Sequence, residues 1–212
     1  MIFAVLPACG HSTRMGCPKL ALPLGDRTVI EHVVLALRAG GVDRTLVVVG
    51  PHVPELVSLA TTAGADVLAL PVPTLDMRAT VAAGLTYLEE LYRPLLTDWW
   101  LLAPADHPTL SPTVIHQLRA AANSRTHSII IPTHQGNRGH PALIAWPHAA
   151  AVRTLPPGRG INALLREHDR ETLELDMAEP GILSDLDTPE DYVRLVQWIS
   201  TGSALALTPN AG

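Results

Sequence analysis

Gly10, Ser12, Arg14, Gly16 and Lys19 lie in one short run, LPACGHSTRMGCPK (6–19), which follows an apolar stretch opening at Ile2. Glycines let backbone approach a ligand with no Cβ in the way. An arginine can fork two phosphate oxygens, and a lysine supplies a compact positive charge. The chemistry these types suit is phosphate binding. The spacing is neither that of a P-loop nor that of a dinucleotide fingerprint. On spacing alone, the run reads equally as a phosphate loop or as a plain turn.

Two acidic strings follow. In LLAPADHPTLSP (101–112), Asp106 stands just past an apolar strand-like run, where open α/β sheets bind ligands. It can hold Mg2+, or simply cap a turn. In SDLDTPEDY (184–192), Thr188 as N-cap with Asp191 three residues on approximates a capping box, and Pro189 suits the first helical turn. A capped acidic helix start explains that string by itself. Cys9 and Cys17, the two cysteines, form neither a disulfide framework nor a zinc site. The ten histidines show no metal-site spacing and read mostly as surface residues, His107 included.

The elements that must position these residues alternate along the chain. Strand-like runs at 2–6, 45–50, 65–70, 99–103 and 128–132 are separated by helix patterns at 29–39, 53–63, 79–91 and from Ser111, with Pro112 at its first position. Such alternation indicates crossover units and a mostly parallel sheet, and continuous apolar strands fit a sheet covered on both faces. After Pro132 come a polar turn (133–140), a strand at 141–146 suited to antiparallel pairing, a short helix at 161–167, a strand at 172–176 and a closing helix at 188–199. The expectation is one α/β domain over 1–200, a Rossmann-like three-layer sandwich with an antiparallel element in its C-terminal half. Residues 201–212 are expected to fray.

Composition narrows the function classes. Apolar residues make up 47% and charged residues 17%, an ordinary globular balance. The formal net charge of -5 provides no basic footprint for nucleic acid or an acidic membrane surface. No apolar run approaches the roughly 20 residues of a membrane span. The opening MIFAVLPA is too short for a secretory signal, so the cytoplasm is the expected compartment.

The run PACGHSTRMGCPK resembles the signature L-A-A-G-x-S-x-R-M-G-x-x-K of sugar-nucleotide and molybdenum-cofactor nucleotidyltransferases. That likeness places the chain in the MobA-like NTP transferase superfamily, nearest its molybdenum cofactor cytidylyltransferase branch. Ala8, Gly10, Ser12, Arg14, Met15, Gly16 and Lys19 match the signature, while Pro7 and Cys9 replace its usual Leu and second Ala. Asp106 and Pro108 match the family's Gly-Asp-x-Pro, with Ala105 in place of Gly. Asp187 matches the second aspartate of its Asp-x-Asp-Thr-Pro-Glu-Asp string. MRATVAAGL (77–85) resembles a family helix start that puts Thr80 near base or ribose. GNRGHPALI (136–144) resembles the Arg-Gly-His-Pro segment of the cytidylyl branch, and PPGRGINALLRE (156–167) follows another branch segment in outline, departing at Arg159 and Asn162.

The resemblance implies an Mg2+-dependent enzyme that moves CMP from CTP to a phosphorylated acceptor such as molybdopterin and releases pyrophosphate. Arg14, Lys19 and Asp106 are its implied catalytic residues, and Asp106 and Asp187 its metal ligands. Ala8, Cys9, Gly10, Ser12, Arg14, Gly16, Lys19 and Thr80 are the nucleotide-binding set, and Arg138 and His140 face the acceptor. The nucleotide half spans about 1–110 and the acceptor half 111–200. CTP is preferred because the guanylyl branch ends its opening motif in Gly-Gly, where Cys9 carries a side chain. A molybdoenzyme or its chaperone is the implied protein partner. GTP, a sugar or polyol phosphate acceptor, and a non-catalytic nucleotide-binding module remain the alternatives.

Overall fold

The structure, a computed structural model, describes residues 1–201. The tail expected to fray lies outside the described residues, apart from the helical backbone of Thr201. β1 (Ile2–Ala8) is followed by a short hairpin of β2 (Pro23–Leu24) and β3 (Arg27–Thr28), then α1 (Val29–Ala39) and β4 (Arg44–Val49). Next come α2 (Glu55–Thr62), β5 (Asp66–Ala69), α3 (Met77–Tyr92), β6 (Trp99–Leu102) and α4 (Pro112–Ala122). β7 (Ile129–His134), β8 (Asn137–Arg138) and β9 (Ala142–Ala145) lead into α5 (Ala149–Thr154), α6 (Ile161–Glu167), β10 (Thr172–Asp176) and α7 (Pro189–Thr201).

The main sheet has the order β10-β7-β9-β6-β1-β4-β5, with β8 paired to β7. β1 pairs parallel to both β4 and β6, β4 to β5, and β7 to β10. β9 runs antiparallel to β6 and β7, which is the expected antiparallel element.

Period-two alternation fills two cores. Ile2, Ala4, Leu6 and Ala8 pack on one face with residues of α1, α2 and α4, while Phe3 and Val5 pack on the other with residues of α3, α5 and α6. The three-layer sandwich follows from that split.

Local chemistry sets the helix starts. The Glu31 carboxylate accepts from the Thr28 amide at 2.7 Å and completes a capping box for α1. Ser111 caps α4, with Pro112 in its first turn. α3 begins at Met77, earlier than the sequence pattern indicates, because the Asp76 carboxylate caps it by accepting from the Ala79 amide at 2.7 Å. Among the described residues, no helix is long and apolar enough to cross a membrane.

Candidate active site

β1 and β6 are parallel neighbours with Val5 opposite Leu102, so the loops after Ala8 and after Leu102 leave the same edge of the sheet. A third segment joins them where the Leu186 amide donates to the Asp106 carbonyl at 3.0 Å. Leu186 is fully buried, and strand-like alternation turns its neighbours Asp185 and Asp187 the other way, into a cavity of about 470 Å3. Ala8, Gly10, Ser12, Arg14, Lys19 and Asp106 line the same cavity.

The opening loop is held by its own backbone. Ser12 adopts a left-handed φ of 49°, and its carbonyl accepts from the Met15 and Gly16 amides at 3.0 and 3.1 Å. This conformation is uncommon for a residue with a Cβ. Gly16, at φ 67°, shapes the turn without lining the cavity. Lys19 opens a 3-10 turn (Lys19–Ala21) that Leu20 anchors in the core, which fixes the lysine stem.

The Lys19 ammonium is the centre of the charge cluster. It donates to Asp106 Oδ2 at 2.6 Å, the Leu186 carbonyl at 2.7 Å and Asp187 Oδ1 at 2.9 Å. Burial works to lower its pKa, but the Asp106 and Asp187 carboxylates outweigh burial and leave it above the ordinary lysine value. Arg14 pairs with Asp187 Oδ2 at 2.9 Å while its side chain stays 71% exposed, so the guanidinium is free to reach toward a ligand. Burial, then the Asp187 charge, pushes the Asp185 carboxyl upward.

Three carboxylates therefore face two cations in this cluster. A polyphosphate entering here needs a counter-cation of its own. The hard oxygens of Asp106 and Asp187, already drawn together around an ammonium, suit Mg2+ or Mn2+.

Two histidines line the cavity beside this cluster, with His107 Nε2 4.0 Å from Asp106 Oδ1. His107 is buried, in contrast to the surface position expected for it, because it packs edge-on against His140 with ring centroids 5.5 Å apart. Burial holds His107 below its ordinary pKa, and burial followed by the His107 charge pushes His140 down to about 4. Their Nδ1 atoms are buried without a hydrogen-bond partner. The motif Arg-Gly-His-Pro thus does bring His140 into the cavity.

Among the other expected site residues, Thr80 and Cys9 do not line this cavity and Arg138 does. Thr80 is 1% exposed, bonded to the Thr74 hydroxyl at 2.6 Å, and does not line the cavity. Its side chain is occupied by the loop entering α3. The Cys9 thiol donates to the Val48 carbonyl at 3.4 Å and packs against the core beneath α3. Arg138 touches the cavity, yet its guanidinium bonds Glu174 at 2.6 Å and Asp169 at 2.8 Å. Arg159 pairs with Glu167, and Asn162 lines a smaller adjoining cavity of about 280 Å3 with Leu165, Arg166 and His140. Asp185 was not singled out from the sequence, although its alternation with Asp187 around a leucine is the signal that marks it.

Comparison with known proteins decides the family. The profile of the MobA-like NTP transferase domain matches residues 4–172. The chain belongs to the MobA-like NTP transferase family. Among relatives of this MobA-like chain, the molybdenum cofactor cytidylyltransferase of Escherichia coli K12 is 26% identical, over 91% of this chain and 94% of its own. Nicotine blue oxidoreductase of Paenarthrobacter nicotinovorans is 24% identical, over 92% and 96%. A nucleotidyl transferase from Methanothermobacter superposes with a TM-score of 0.78 at 24% identity, covering 96% of this chain and 99% of that one. The manganese complex of Rv0371c from Mycobacterium tuberculosis H37Rv superposes at 0.72 and 22% identity, over 92% and 98%. The fold of this MobA-like protein is therefore shared with nucleotidyltransferases along nearly its whole length.

Proposed function

We propose that the chain is a divalent-metal-dependent cytidylyltransferase that joins CMP from CTP to a phosphorylated acceptor of the molybdopterin type. The observation that carries this reading is the convergence of Asp106 and Asp187 on Lys19 beside the glycine-bearing loop. A charge set of this kind suits phosphate and cation rather than an apolar ligand. CTP is supported by the Arg-Gly-His-Pro segment at His140 and by the E. coli relative, a cytidylyltransferase by name. The acceptor is supported by that same relative.

In the proposed reaction, an acceptor phosphate oxygen attacks the α-phosphorus, forming one P–O bond as the α–β P–O bond breaks and pyrophosphate leaves. Asp106 and Asp187 would hold Mg2+, which when bound neutralises charge on the phosphates. Arg14 and Lys19 offset the charge that builds on the departing pyrophosphate. Backbone around Ala8 and Gly10 packs against the base, with Ser12 and Gly16 fixing the loop. The neutral His107–His140 wall borders the acceptor side, with Arg138 at its rim. On this reading about 1–110 supply most of the nucleotide half and 111–200 most of the acceptor half, with Asp187 reaching back to the metal and His107 across to the acceptor. The product is a small molecule made in the cytoplasm and passed to a molybdoenzyme or its chaperone.

The test is pyrophosphate release with Mg2+ across CTP, GTP, ATP and UTP, each with molybdopterin, a sugar phosphate and a polyol phosphate. Release confined to CTP and molybdopterin supports the reading. Release with GTP or with a sugar or polyol phosphate reassigns the substrate. CTP binding without release in any combination points to a non-catalytic module.

A further inference from the structure

At the edge of the sheet opposite the cavity, three metal-ligating side chains from separate segments meet. His148 ends the 3-10 turn Trp146–His148 that precedes α5, His168 follows α6, and Glu171 ends the turn Asp169–Glu171 that feeds β10. Topology explains the meeting. β7 and β10 are parallel, so their starts lie side by side, and the Ser128 amide donates to the Glu171 carbonyl at 3.0 Å. β9 is antiparallel to β7 and ends at this same edge, which delivers His148.

The side chains already contact one another. His168 Nδ1 lies 3.0 Å from Glu171 Oε1, and His148 Nε2 lies 3.7 Å from Glu171 Oε2. The two imidazole rings are 4.7 Å apart, edge to face. One ligand atom from each of the three residues falls within 4.8 Å of the other two.

We propose that His148, His168 and Glu171 form a zinc site separate from the nucleotide cavity, with water in the fourth position. Two imidazole nitrogens and one carboxylate oxygen are a donor set zinc takes, whereas Mg2+ and Ca2+ prefer oxygen alone. Ligand atoms around tetrahedral zinc stand about 3.4 Å apart, given Zn–N bonds of about 2.0–2.1 Å. Closure of the widest separation by about 1.5 Å at most suffices, and Glu171, its side chain 52% exposed, has the freedom to adjust.

The Ser128 hydroxyl, 2.8 Å from His148 Nε2 and 2.7 Å from Glu171 Oε2, would give up the imidazole to the metal and remain as an outer partner of the carboxylate. The ion would pin the end of α6, whose Asn162, Leu165 and Arg166 line the smaller cavity beside His140.

The experiment uses the full chain, stripped with chelator and held in excess Mg2+ so that the cavity carboxylates are occupied. Co2+ is titrated as a spectroscopic probe, followed by Zn2+. The expected result is one equivalent of Co2+ with the intense visible bands of a four-coordinate ion, abolished by Zn2+, and a melting temperature raised by Zn2+. His148→Ala and Glu171→Gln should each weaken Co2+ binding at least tenfold, and Asp106→Asn should leave it unchanged. Glu171 is exposed, so its glutamine variant tests the site even if the alanine variant at His148 fails to fold. Absent bands in the unmutated chain overturn the proposal, as do bands unaltered by Glu171→Gln or lost in Asp106→Asn.

Discussion

The amide of Leu186 donates to the carbonyl of Asp106 at 3.0 Å, and this one backbone bond brings two acidic segments from distant parts of the chain together. Lys19 closes the arrangement by donating to the Leu186 carbonyl and to both flanking carboxylates. The site is thus assembled by main chain first and by charge second. Substitutions of the carboxylates should disturb the chemistry more than the geometry.

Asp106→Asn keeps an oxygen for Lys19 but removes the negative charge. Pyrophosphate release should fall roughly 100- to 1,000-fold, the scale seen when one electrostatic group is removed from a transition state. Circular dichroism and the melting midpoint should stay near those of the unmutated chain. Activity within a few-fold of the unmutated level would remove Asp106 from the metal role, and Asp187→Asn extends the same test to the second carboxylate.

Lys19→Met should destabilise the chain by about 1–2 kcal/mol, below the usual cost of breaking a buried pair because both partners are partly solvated. Lys19 is held above its ordinary pKa, so its contribution is complete at neutral pH and is lost only as pH rises through that raised value. In the variant, Asp106, Asp185 and Asp187 repel one another with no ammonium between them. Mg2+ should therefore raise the melting temperature of the variant more than that of the unmutated chain. Equal Mg2+ shifts in paired melting curves would sink this account.

Asp106 and Asp187 were legible because each sits in a short string whose order along the chain matches a family pattern. The sheet was legible because β1 and β4 are continuous apolar runs separated by a helix-length pattern. The β2–β3 hairpin was not, since two residues per strand cannot display a period, and α5 is barely longer than a turn. His107 read as a surface residue because its burial depends on contact with His140, far away in sequence. The directions of Cys9 and Thr80 were equally hidden. Which way the chain turns Cys9 as it leaves β1, and what α3 lays beside it, are tertiary facts.

His140 offers a pH test of the cavity wall. Its folded pKa of about 4 lies below the ordinary histidine value, so the unfolded chain binds the extra proton first as pH falls. The stability that neutral His140 contributes is present above the ordinary value and is lost between there and about pH 4, below which it changes no further. The loss should be on the order of 2 kcal/mol after allowing for partial solvent access. Urea unfolding of the unmutated chain and of His140→Gln at pH 7 and pH 4.5 isolates the effect from that of His107. A stability difference between the two proteins that does not change with pH would contradict it.

Gly139→Ala should destabilise the chain and Gly10→Ala should not. A Cβ on Gly139 would stand 2.7 Å from both Cγ1 and the carbonyl oxygen of Ile182, and the His140 amide already donates to that oxygen at 2.9 Å. Backbone cannot retreat as a flexible side chain would, so the turn Pro180–Leu183 must move and carry the Asp185–Asp187 segment with it. Gly139→Ala should cost about 1–3 kcal/mol and reduce turnover together with stability. A Cβ on Gly10 meets nothing within 4 Å, and its φ is not in the left-handed region. Gly10→Ala should therefore melt like the unmutated chain and raise the KM for nucleotide, because the new methyl group narrows the approach of the base to the loop. Melting curves and nucleotide KM values for both variants check the pair, and a destabilised Gly10→Ala or a neutral Gly139→Ala would refute the packing described for this wall.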